Sequence, residues 1–60
     1  MKRIKTVYQG TYPLGIIEKS RLQPETLYPY HVTISTVQGP QYLGVCATIK
    51  DAERAIRDNT

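Results

Sequence analysis

Phenylalanine and tryptophan are absent from this chain, and cysteine, histidine and methionine occur once each. With Cys46 as the single cysteine, no disulfide closes within one chain. Cys46 and His31 together fall short of the ligand set of a structural zinc site. No stretch approaches the ~18 consecutive apolar residues of a membrane-spanning helix. The opening MKRIKTVYQG is basic and lacks the apolar core of a secretory leader. Neither a glycine-rich phosphate loop nor a paired-carboxylate site is written anywhere. From these absences we expect a soluble cytoplasmic protein that engages no membrane, uses no cofactor or metal, and is not an enzyme.

Sixty residues make one domain, 1–60. A chain this short buries only about 60% of the surface its unfolded form exposes, so stability is marginal. Packing alone must hold the core, or a second copy of the chain must complete it. Four glycines, four prolines and five tyrosines describe a compact, turn-rich domain in which tyrosine supplies the aromatic packing. Two roles compete for Tyr8, Tyr12, Tyr28, Tyr30 and Tyr42: filling a Phe-free core with hydroxyls at its rim, or forming a stacking platform for single-stranded bases.

The net charge of +3 is unevenly placed. Residues 1–21 hold Lys2, Arg3, Lys5, Lys19 and Arg21 against Glu18 alone. In residues 48–60, by contrast, Lys50, Arg54 and Arg57 balance Asp51, Glu53 and Asp58. A basic first third suits a polyanion, and it also suits an ordinary solvated surface.

RIKTVYQG, rich in β-branched residues, reads as a first strand, and TYP as a turn. GIIEKSRL resumes an extended pattern, with Ile17, Lys19 and Arg21 on one side and Ile16, Glu18 and Ser20 on the other. QPETLYP interrupts it, because Pro24 and Pro29 lack a donor for the ladder. In YHVTISTV the apolar Tyr30, Val32 and Ile34 alternate with His31, Thr33 and Ser35, the signature of a half-buried strand. QGPQ then reads as a hairpin turn in which Gly39 takes positive φ, and YLGVCA as the strand that follows.

Thr48 is placed to cap a helix, with Asp51 three residues on and at the positive end of the dipole. Ile49, Ala52 and Ile56 share one helix face, flanked by Ala55, while Lys50, Arg54 and Arg57 point outward. Glu53 and Arg57 stand at the i,i+4 spacing, and Asp58 near the C-terminus opposes the dipole, so the last turn is expected to fray. The fold class that follows is α+β: a small antiparallel sheet of three strands, or four if the basic start pairs, with one C-terminal helix on one face. His31, alone between Tyr30 and Val32, reads as a solvent-facing or hydrogen-bonded side chain, and Cys46 as a small packing residue.

From Tyr30 onward the residues form a pattern: an aromatic, Ile34 four positions later, Gly39 in a turn, then Leu43, Gly44, Thr48, Ala52 and Ala55. This resembles the Apetala-type DNA-binding domain of plant ethylene-response factors and phage homing endonucleases, and the related arm-binding domains of phage integrases. The resemblance spans residues 15–57, with 1–13 outside it as a basic strand or arm. Cys46 stands where that family has an aromatic, and the middle strand has no Arg or Lys. The resemblance implies a phage or mobile-element DNA accessory protein whose open sheet face enters the major groove of double-stranded DNA. In that arrangement Lys19 and Arg21 contact bases or phosphates, His31, Thr33 and Ser35 add short polar contacts, and Lys2, Arg3 and Lys5 reach the backbone as a flexible arm. The alternative is a protein-binding module, for instance an inhibitor of a host or phage protein or a homodimer, acting through the same face.

Overall fold

The computed structural model describes residues 2–20 and 27–59. Four strands and one helix follow one another as β1 (Lys2–Gln9), β2 (Tyr12–Lys19), β3 (Tyr30–Thr36), β4 (Gly39–Cys46) and α1 (Ile49–Asp58). The strands form one antiparallel meander in the order β1-β2-β3-β4. The α+β class is as expected, and the fourth strand is the basic start. Lys2, Arg3 and Lys5 therefore belong to a paired strand and not to a flexible arm, because β1 is hydrogen-bonded along β2. The sheet accordingly extends well before residue 15. Arg21 and Pro24 lie outside the described residues.

Tight turns make the meander. Gly10–Thr11 joins β1 to β2, and Val37–Gln38, two residues earlier than QGPQ suggests, joins β3 to β4. Gly39 follows that second turn at φ +111°, a conformation L side chains rarely adopt. Thr36 clamps the turn: its Oγ1 accepts from the Gln38 amide (3.2 Å) and donates to the Gly39 carbonyl (2.6 Å). Across the longer β2–β3 connection the Ser20 amide donates to the Pro29 carbonyl at 3.0 Å.

The helix lies over one side of the sheet, and the core between them is aliphatic: Val7, Leu14, Ile17, Val32, Ile34, Ala52 and Ile56. Of the five tyrosines only Tyr30 packs against it, while Tyr8, Tyr12, Tyr28 and Tyr42 are each more than half exposed. The expectation that tyrosine fills the core is corrected on that point. The reason for Tyr42 is register: it pairs with Thr33, whose strand neighbours Val32 and Ile34 turn the other way into the core. Leu14 joins the core through a bulge, since Val7 pairs with Gly15 and Tyr8 with Pro13, leaving Leu14 unpaired between them.

Thr48 caps α1 as expected, its Oγ1 accepting from the Asp51 amide at 3.1 Å. The C-terminal end is also capped: the Asn59 Nδ2 donates to the Ala55 carbonyl at 2.8 Å, and its amide to the Ile56 carbonyl at 3.3 Å. A frayed last turn is thus not what the structure has, because Asn59 satisfies carbonyls that would otherwise face water. Thr48→Ala removes the N-terminal acceptor and is expected to cost about 1 kcal/mol in urea unfolding, with Thr48→Asp close to wild type.

Candidate interaction surface

Which residues occupy the uncovered side of the sheet follows from register. Cross-strand partners share a face, so two rows run across all four strands there: Arg3, Glu18, His31, Val45, and Thr6, Ile16, Thr33, Tyr42. The alternating row Lys5, Ile17, Val32, Gly44 faces α1. Ser35 continues the open face toward the β3–β4 turn, and Tyr8 continues it on β1. Rows of β-branched and aromatic residues are what a pleated, half-buried surface favours, so the same choices that build the strands leave an adhesive exterior.

His31, Thr33 and Ser35 thus lie together on the open face, as their alternation predicts. Here His31 finds a partner, since its Nδ1 stands 2.8 Å from the Tyr42 hydroxyl, with the two rings 5.9 Å apart and tilted by 35°. When Tyr42 donates to Nδ1, Nε2 carries the ring proton and is a donor.

The cations do not gather with these groups. Lys19 pairs with Tyr30 and shares the helix side with Ile17, so the expectation of Lys19 on the open face is corrected. Lys2 stands opposite Lys19 and takes the same side. Lys5 reaches Glu53 on α1 and forms an ion pair with it. Among the described cations of the first third, Arg3 alone is on the open face, with Glu18 directly across from it. Arg21 lies outside the described residues.

The Lys5 hydrogen bond, together with the charges of Lys5 and Arg57, holds the Glu53 carboxyl below the usual carboxylate range. A depressed folded value means that this contribution is present above the ordinary glutamate range and is lost as pH falls through the folded value. Both side chains are substantially solvated, so the effect on stability is small. A carboxyl-detected NMR titration is expected to place Glu53 below the ordinary glutamate value, and Lys5→Met to return it toward that value.

Cys46, at the end of β4, packs against the core, and burial, with a smaller contribution from Asp51, pushes its thiol above the ordinary value. That is the opposite of an activated nucleophile. It borders a shallow groove of about 350 Å³ between β4 and α1, shared with Leu43, Ala55 and Asn59, where no set of polar groups converges. Among the described residues no three His, Cys, Asp or Glu side chains gather as a metal site would require, and no helix is long and apolar enough to cross a membrane.

No protein-family model, curated protein or solved structure matches this chain. Its surface is therefore the basis for assigning a role. Sequence reasoning missed the pairing of His31 with Tyr42 and the central position of Ile16. The signal for the first was the hairpin count from Val37–Gln38, which brings Thr33 opposite Tyr42, while nothing in the alternation of β2 marked the second.

Proposed function

We propose that this protein is a binding module for another protein, engaged through the open face of its sheet. The supporting observation is the composition of the two exposed rows. Two opposed charges, a central isoleucine with a threonine on either side, a valine and an imidazole hydrogen-bonded to a tyrosine are the materials of protein interfaces, where aromatic residues are enriched and cores are poor in charge. Tyrosine with threonine and serine also gives contact area and hydrogen bonding at low conformational cost.

Duplex DNA is the second reading. Its support is the basic excess of the first third and Arg3 on the face itself, in keeping with the Apetala-type resemblance. Against it, Lys2, Lys5 and Lys19 are directed to the helix side, and phosphate contacts need converging cations.

One experiment separates the readings. A photo-reactive residue replaces Thr33 on the open face, or Arg54 on the solvent side of α1, in the expressed chain. The expected result is a protein adduct from position 33 and none from position 54. Equal adducts from both positions, or a nucleic-acid adduct from 33, overturns the proposal. Amide shifts at Arg3, His31 and Thr33 on adding a mixed-sequence duplex, shrinking at high salt, would establish the DNA reading instead.

A further inference from the structure

We infer that the protein seated on the open face is a second copy of this chain, so that two sheets pack face to face with their helices outside. The inference rests on the reading of that face as a protein-binding surface. Three observations carry it.

The first is charge. The chain bears a net +3, yet on the open face the charged groups among the described residues are Arg3 and Glu18, which cancel. Two copies repel through most of their surface and meet without net repulsion here. Self-complementarity goes further than neutrality. A two-fold axis along the strands, between β2 and β3, places β2 of one copy over β3 of the other. Glu18 then lies over His31 of the second copy, an imidazole whose Nε2–H, with Nδ1 accepting from Tyr42, suits a carboxylate, and Ile16 lies over Thr33. Each contact occurs twice.

The second concerns the sheet edges, the competing route to self-association. Lys2, Arg3 and Lys5 line β1, and Ile4 is bulged out of its pairing with β2. On β4, Pro40 lacks a donor and Leu43 is bulged out opposite Val32 and Thr33. Charge, proline and bulges are the devices by which edge strands resist pairing with another chain. At its centre the open face carries no proline, and its one charge, Glu18, has Arg3 directly across from it.

The third is size. Four strands spaced about 4.8 Å apart, about 26 Å long for the three of eight residues and about 23 Å for β3 with seven, present about 490 Å² per copy. Two copies bury about 1,000 Å², the lower bound for a specific interface, which fits a reversible dimer with its helices left free.

Sedimentation equilibrium of the full chain from about 10 μM to about 1 mM tests this. Wild type is expected to pass from monomer to dimer across that range. Ile16→Glu and Thr33→Lys, each with a wild-type far-UV spectrum, are expected to weaken association at least about tenfold. Arg54→Glu on the helix is expected to leave it unchanged. Should Ile16→Glu fail to fold, Thr33→Lys alone decides. A wild-type chain still monomeric at the top concentration, or a dimer indifferent to the face substitutions, overturns the inference. If the monomeric chain nevertheless yields an adduct with a different protein from position 33, the binding-face reading stands and only the second copy is wrong. If it yields no protein adduct, both fail.

Discussion

Ile17→Ala is expected to lower the stability of this chain by about 2–5 kcal/mol, the range for truncating a large aliphatic side chain in a packed core. Ile17 is completely buried, with Val32 beside it in its row and the apolar face of α1 above. By the per-residue scale of globular proteins, sixty residues support only about 3–9 kcal/mol in total. A single truncation therefore brings the chain close to its unfolding midpoint without denaturant. Urea titration with an unchanged slope would measure it. The neighbouring substitution gives the internal control. Ile16 occupies the opposite face and is only partly covered, so Ile16→Ala in the dilute monomer is expected to cost less than about 1 kcal/mol. Equal costs at the two positions would mean that the faces of β2 are assigned the wrong way round. A cost at Ile16 that grows with protein concentration would instead report the dimer.

That pair also shows where the sequence stops being legible. In β3 the apolar and polar residues alternate without interruption, and the structure follows them: Val32 and Ile34 are buried, while His31, Thr33 and Ser35 face out. The helix was equally readable, because Thr48, Ala52 and Ile56 meet local needs of capping and close packing that do not depend on distant parts of the chain. In β2 two isoleucines stand side by side, and either parity buries one of them. A slip of one residue moves every side chain to the other face, and with it Lys19. Leu14 was beyond reach for a related reason, since a bulge changes the parity within the strand and leaves no mark in the alternation.

Charge was legible as a quantity and not as an arrangement. The basic residues of the first third suggested a polyanion partner while their strand was unplaced. Once β1 is the edge of a meander, Lys2, Arg3 and Lys5 have a physical role in guarding that edge, and Lys5 has a further one in tying β1 to α1 through Glu53. The candidate surface became visible only through register. His31 and Tyr42 are eleven residues apart, and the contact between them exists because the β3–β4 hairpin folds one onto the other.

The second large effect is expected at Gly15. A Cβ built there would lie 2.5 Å from the Thr33 carbonyl oxygen and 3.2 Å from both the Ile34 Cα and the Ile56 Cγ2. The nearest obstacle is backbone of the adjacent strand, which cannot swing aside as a side chain does. The glycine is thus required by close approach, and not by an unusual φ. Gly15→Ala is expected to cost about 1–3 kcal/mol by overpacking, lowering the melting temperature by about 4–8 °C for each kcal/mol in a domain of this size. Gly15→Val should cost more, to the point of preventing folding. The origin of the strain can be tested with a second change. Ile56→Leu removes the Cγ2 branch methyl at nearly constant volume without moving the Thr33 carbonyl, so in the double variant most of the Gly15→Ala penalty should persist. Strong rescue would place the strain at the helix contact and show that α1, and not β3, sets the close approach at Gly15. Persistence would make the spacing of β2 and β3 the quantity that Gly15 protects, and those two strands are the ones that carry Ile16, Glu18, His31 and Thr33 at the centre of the open face.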